Sequence, residues 1–232
     1  MAQLALVYDV HGNLPALEAI LADARQAGAE RFLLGGDYAL FGPWPRETVE
    51  ALRNLEGAIW IRGNVDRWCA QSEGAPDDPP IRAAIEACRK ELGAELVTEL
   101  GALEAQRVMD GVRYCHGSPA SDLRSFMPQP AEEDEELLAG TDERRVVFGH
   151  THLQFQRLTE SGIELLNPGS VGLPFDGDHR AAYALVEDGG AVQLRRVSYD
   201  HRASARAMRE RYHASPWAER TARRLEAARM VD

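Results

Sequence analysis

Gln3-Leu4-Ala5-Leu6-Val7-Tyr8-Asp9-Val10-His11-Gly12-Asn13 begins with an apolar run that stops at an aspartate, and Arg31-Phe32-Leu33-Leu34-Gly35-Gly36-Asp37 does the same. A run that short, bounded by turn residues, reads as a buried strand. Between the two, Leu14, Leu17, Ile20 and Leu21 recur at helical spacing. Pro15 occupies a first-turn position that tolerates proline, and Gly28 can end the helix. The proline-rich loop Phe41-Gly42-Pro43-Trp44-Pro45 then leads into a second helix through about Leu55. Ala58 to Ile61 reads as a third strand, closed by Gly63-Asn64. Strand, helix, strand, helix, strand predicts an α/β fold with adjacent parallel strands.

Further along, 72–80 is rich in Gly, Pro and Asp and reads as a loop, while 81–104 is helical in pattern, with Ile81, Ile85, Cys88 and Leu92 on one face. Val108 and Val112-Arg113-Tyr114-Cys115 flank Asp110-Gly111, a hairpin signal. Residues 119–130 are irregular. The acidic run from Glu132 to Glu136 reads as a solvated helix start, favoured there by the helix dipole. Arg145-Val146-Val147-Phe148 is another buried strand, closed by Gly149-His150. From 153 to 197 the pattern is β-rich, with turns at Ser161-Gly162 and Asp188-Gly189-Gly190. Strong helix formers follow from about Ala203. No internal repeat and no domain boundary stands out, so one domain over 1–232 is the economical reading.

Of the 232 residues, 44% are hydrophobic and 27% charged, which excludes a disordered or collagen-like chain. Lys and Arg number 26 against 37 Asp and Glu, a net charge of −11 that repels DNA, RNA and anionic membranes at long range. A small phosphorylated substrate stays open, because a bound metal can reverse the local field. Cys69, Cys88 and Cys115 have no CxxC spacing, which argues for reduced thiols and a cytoplasmic protein. The start carries no signal-peptide pattern, and no run approaches the roughly eighteen apolar residues of a membrane helix.

The chemistry lies where the strands end. Five of them terminate in potential metal donors: Asp9-Val10-His11, Gly36-Asp37, Gly63-Asn64, His116-Gly117 and Gly149-His150-Thr151-His152. Sites in open α/β sheets gather beyond such carboxyl ends. Taken singly each donor is ordinary. Asp9 and Asp37 also fit turns or caps, Asn64 after Gly63 fits a left-handed turn, and His116 and His150 fit core histidines. His150 and His152 share a face only if their strand persists.

In this order, the motifs resemble those of the calcineurin-like metallophosphoesterases. The resemblance runs from Asp9 to about Pro174 and includes Asn167-Pro168-Gly169-Ser170, typical of the compact bacterial and archaeal phosphodiesterase branch. It implies a four-layer αββα sandwich, two mixed sheets flanked by helices. It also implies a ligand set: Asp9, His11 and His152 on one metal, Asn64, His116 and His150 on the other, Asp37 bridging. Imidazole mixed with carboxylate suits Mn, Fe, Zn, Ni or Co rather than Ca or Mg, with Mn the first expectation. The activity implied is hydrolysis of a phosphodiester or phosphomonoester, a nucleotide included, by in-line attack of a metal-bridging hydroxide. Asp37, Asn64, His116 and Asp66 would be its catalytic residues. Two other readings compete: a non-catalytic protein-binding scaffold on the same fold, and a serine/threonine protein phosphatase. An oligomer is open.

One departure matters. Many relatives carry Gly-Asn-His followed by an acid; this chain has Gly63-Asn64-Val65-Asp66. Val65 cannot protonate a leaving oxygen, which leaves the general acid unassigned and favours good leaving groups. Asp66 is expected to orient His116 or another ligand, or else to cap. Arg67 is a candidate phosphate contact or a surface ion pair. Phe41 and Trp44 are candidates to stack on a base or aryl ester, or to pack their loop. His179 would reach in from the loop after Pro174. Asn13 would hold its loop or touch substrate. His201 and His213 read as surface residues.

Overall fold

The computed structural model describes residues 3–187 and 189–231. In chain order its elements are β1 (Gln3–Val7), α1 (Leu14–Gln26), β2 (Ala29–Leu34), α2 (Pro45–Arg53), β3 (Ile59–Trp60), α3 (Asn64–Ala70) and α4 (Pro79–Gly101). There follow β4 (Gln106–Met109), β5 (Val112–Cys115), α5 (Glu133–Leu137), β6 (Arg145–Val147), β7 (Phe155–Leu158) and β8 (Glu164–Asn167). The last are β9 (Ala181–Val186), β10 (Val192–Val197), α6 (His201–Arg211) and α7 (Pro216–Ala227). Two mixed five-stranded sheets result, ordered β10-β9-β1-β2-β3 and β4-β5-β6-β8-β7. β1, β2 and β3 are parallel, as are β5, β6 and β8.

Alternation along each strand explains the layers. Leu4, Leu6 and Leu33 of the first sheet meet Val112, Tyr114 and Val147 of the second in the core between them. Their neighbours Ala5, Val7 and Leu34 point the other way, into the helix layer. Both faces of these strands are covered, so their sequences are continuously apolar. On the outer face of the second sheet, Phe126, Leu137, Phe148 and Phe155 form a separate cluster. The αββα order therefore holds, with its fourth layer reduced to α5 and the irregular segment before it.

Some expectations shift. Helix α3 falls where a turn was expected after Gly63; Gly63 is its N-cap, and its main-chain N–H donates to the Asp66 carboxylate one turn on. The long helix starts at Pro79, ends at Gly101 and is broken at Gly93, whose φ is 77°. Asp110 and Gly111 both take positive φ, as a two-residue hairpin requires. The C-terminal stretch is two helices, the second with proline in its first turn. Asp188, from the expected turn, lies outside the described residues. In the acidic run, Asp134 turns inward and pairs with Arg157 at 2.6 Å. The three cysteines are buried and unpaired. No helix among the described residues is long and apolar enough to cross a membrane.

Candidate metal centre

Loops leaving β1, β2, β5 and β6 meet at one edge of the sandwich. Main-chain bonds lace them together: His11 N donates to Asp37 O at 2.9 Å, and Gly149 N to His116 O at 2.7 Å. Asp9, His11, Asp37, His150 and His152 all have φ between 48° and 67°, left-handed backbone that few non-glycine residues adopt. Two glycines let these loops close. A Cβ on Gly63 would overlap the Asp37 carboxylate, and one on Gly149 would overlap that of Asp9.

The histidine tautomers follow from their partners. Nδ1 of His11, His116 and His152 faces the carbonyl oxygens of Leu40 (2.8 Å), Gly35 (2.9 Å) and Leu173 (2.5 Å) respectively. A carbonyl only accepts, so Nδ1 carries the proton and a neutral ring presents a bare lone pair at Nε2. His11 Nε2 and His152 Nε2 stand 3.1 Å apart, and Asp9 Oδ1 lies 3.5 Å from His152 Nε2. Asp9 Oδ1 is buried without a hydrogen-bond partner among the described residues. In the second group, Asn64 Oδ1 lies 2.9 Å from both His116 Nε2 and His150 Nδ1.

Acceptors thus face acceptors at His11, His152 and Asp9 in the first group and at His116 Nε2 and Asn64 Oδ1 in the second. Neutral groups so placed repel one another, and a cation in each satisfies them. Each carboxylate keeps one oxygen for this purpose. Asp9 Oδ2 accepts from His150 N and Asp37 Oδ1 from Val65 N, both at 3.1 Å. Asp37 Oδ2 lies between the groups, 3.7 Å from His11 Nε2 and 3.3 Å from His116 Nε2. Donor atoms of Asp9, His11 and His152 lie within 4.8 Å of one another, as do those of Asp37, His116 and His150. The donor chemistry therefore fits two divalent cations. His150 and His152 serve different groups because β6 ends at Val147 and does not carry them as strand neighbours.

A proton and a cation are alternatives at His116 Nε2, beside Asp37, since a metal ligand must first lose its proton. Burial works against a charge on His116, but facing Asp37 outweighs it and raises the imidazole to about 10. Burial and then the charge on His116 push His150 down to about 4. Burial would raise Asp37, but His116 holds it well below the usual carboxylate range.

The expected supporting residues fare differently. Asp66 does not touch His116, whose Nδ1 is taken by Gly35 O. It accepts instead from the main-chain N–H groups of Asp37 and Gly63, both at 2.8 Å, and of Tyr38 at 3.1 Å. Burial, then the charge of Asp37, raises it to about 7. Its place is thus to hold the Asp37 loop against the start of α3. Arg67 pairs through two nitrogens with Asp122, at 2.7 and 2.9 Å, and is not at the cleft. Asn13 is fully engaged, donating to Gly172 O and Tyr199 Oη and accepting from Ser204 Oγ, so it ties loops together. Trp44 sits half-buried at the start of α2, outside the cleft lining. His179 stacks on His201 at 4.3 Å and bonds Glu226 O, on another surface. Phe41 does line the cleft, 6.2 Å from His11.

Above the two groups lies a cavity of about 250 Å³. Sequence reasoning missed its upper wall, Trp217, Arg220, Thr221 and Arg224 of α7, and Trp68 of α3. The spacing 217, 220, 221, 224 is one helical face, a signal that was present but pointed only to packing.

With this geometry in view, the chain belongs to the calcineurin-like phosphoesterase superfamily, whose domain model matches residues 2–189. It is, in that class, a metal-dependent phosphoesterase. A phosphodiesterase of Escherichia coli, YfcE, is 28% identical over 199 residues, covering 81% of this chain and 89% of its own. The crystal structure of a metallophosphoesterase from Sphaerobacter thermophilus superposes with a TM-score of 0.82 at 29% identity, covering 98% and 99% of the two chains. A hypothetical protein from Pyrococcus horikoshii OT3 shares the fold, with a TM-score of 0.82 at 23% identity over 94% and 96%.

Proposed function

We propose that this protein is a dinuclear phosphodiesterase acting on a small phosphodiester. Asp9, His11 and His152 would hold one divalent cation, Asn64, His116 and His150 the other, with Asp37 shared. The observation that carries this is the buried, partnerless Asp9 Oδ1 among imidazole lone pairs. When bound, such a pair supplies charge neutralisation at the phosphoryl oxygens and a water acidified towards neutral pH. The chain's own part is to fix the donors. Nδ1 bonds set the imidazoles, main-chain N–H groups set the carboxylates, and Asp66 sets the Asp37 loop. Mixed nitrogen and oxygen donors suit Mn, Fe, Zn, Ni or Co, and we take Mn as the first candidate. We extend the domain to α6 and α7, since α7 walls the cleft. Three buried, unpaired thiols support a cytoplasmic setting.

Substrate size and leaving group follow from the cleft. A cavity of about 250 Å³ suits a small molecule better than a phosphorylated side chain on a folded protein, which argues against the protein phosphatase reading. A scaffold would have no use for buried acceptors facing acceptors. Apart from the candidate ligands, the titratable groups lining the cleft among the described residues are Arg220 and Arg224. Neither can act as an acid near neutral pH, so leaving groups that depart as stable anions are favoured.

Metal analysis of the purified protein, with turnover of bis(p-nitrophenyl) phosphate after Mn²⁺ addition, tests this. Two metals per chain and metal-dependent turnover are expected. No metal uptake and no turnover with Mn²⁺ or Fe²⁺ would refute it. Val65 is buried at the cleft. Val65→His is therefore expected to raise turnover of alkyl phosphates about tenfold by supplying an acid, with p-nitrophenyl diesters little changed. Equal effects on both substrates would remove the leaving-group argument.

A further inference from the structure

The superfamily match ends at residue 189, yet α7, well beyond it, closes the cleft over the candidate metal centre. The helix is locked in place. Arg209 of α6 pairs with Glu219 at 2.8 Å and with Glu226 at 2.6 Å, and Trp217 packs on Tyr212 at 4.5 Å between centroids. Its inward face brings Trp217 to a cavity whose other walls include Phe41, Trp68, Ile81 and Phe175. Beyond the donors at the floor, that surface is apolar and aromatic apart from Arg220, Thr221 and Arg224 of α7.

Resting on the dinuclear reading above, we propose that α7 builds a subsite for one flat aromatic group, aryl or nucleobase, on a small phosphodiester. Two observations converge. The apolar walls are continuous with His11, Asp37 and His152, so a phosphoryl group at the floor places its ester substituent among them. The volume of about 250 Å³ holds a phosphate and one ring system, and little more. Arg220, held at 3.4 Å by Asp78, and Arg224 set positive charge beside this wall, against a chain whose net charge is −11. Positive charge at this wall favours an anionic ester there.

Calorimetric titration of the Mn²⁺-loaded protein with inorganic phosphate, methyl phosphate and phenyl phosphate tests the subsite. Phenyl phosphate is expected to bind about tenfold more tightly than methyl phosphate, because only the ring buries apolar area against Trp217. Trp217→Leu should cut that preference to about threefold or less. Ile81→Ala, on a different element, should also reduce it, and decides the matter should the first variant fail to fold. Equal binding of the two esters, or a preference unchanged in the folded variants, overturns the subsite and leaves the metal centre standing. Failure of inorganic phosphate itself to bind the metal-loaded protein overturns both.

Discussion

Asp37→Asn is expected to lower turnover by about a thousandfold or more and to loosen both metals together. Asp37 Oδ1 accepts from Val65 N, and Oδ2 faces His11 and His116 across the two donor groups. An asparagine would keep its carbonyl oxygen on Val65 N. Its NH₂ group would then point at the imidazole lone pairs, where a cation belongs. The change also removes one of only two carboxylates in the candidate ligand set, leaving a single negative charge against two divalent cations. Metal content and kcat measured on the same preparation check this. A variant that keeps both metals and full turnover would show that the two groups are not a shared centre.

Asp66→Ala should destabilise the protein by about 3 kcal/mol, since three buried main-chain N–H groups lose their acceptor at once. For a chain of this size that corresponds to a fall in Tm of roughly 6–12 °C. Turnover should fall as well, because Gly63, which opens α3, and the Asp37 loop are both held by this one side chain. Asp66→Asn should recover part of the stability, as its amide oxygen can still accept from Asp37 and Gly63. Thermal denaturation of both variants separates this from a surface role, which would move Tm by little in either.

The candidate donors were legible in the sequence because side-chain chemistry and the ends of the apolar runs coincide there. Asp9 and His116 follow apolar runs directly, and Asp37, Asn64 and His150 follow theirs after one or two further residues, mostly glycine. The parallel β1-β2-β3 core was legible for the same reason, since strands buried on both faces read as unbroken apolar stretches. The supporting residues were not legible. Asp66 was expected to act on a histidine, but its partners are main-chain N–H groups brought from Asp37 and Tyr38, which no side-chain pattern announces. Arg67, Trp44, Asn13 and His179 are close in sequence to motif residues or loops, yet their side chains turn to Asp122, the start of α2, Gly172 and Glu226. The role of α7 stayed hidden because a helical face carrying Trp217 and Thr221 looks the same whether it covers a core or a cleft.

The two donor groups each draw on both sheets. Asp9, His11, Asp37 and Asn64 come from loops of the first, while His116, His150 and His152 come from loops of the second. A cation in either group would therefore act as a clasp across the sandwich. Binding that favours the closed arrangement stabilises it by mass action, about 2.7 kcal/mol at a hundredfold excess over the dissociation constant. Chelation should then do more than silence the chemistry: it should let the sheets part at that edge more often. Protease sensitivity of the Gly149–Thr151 region would serve as a gauge of how much metal the protein carries.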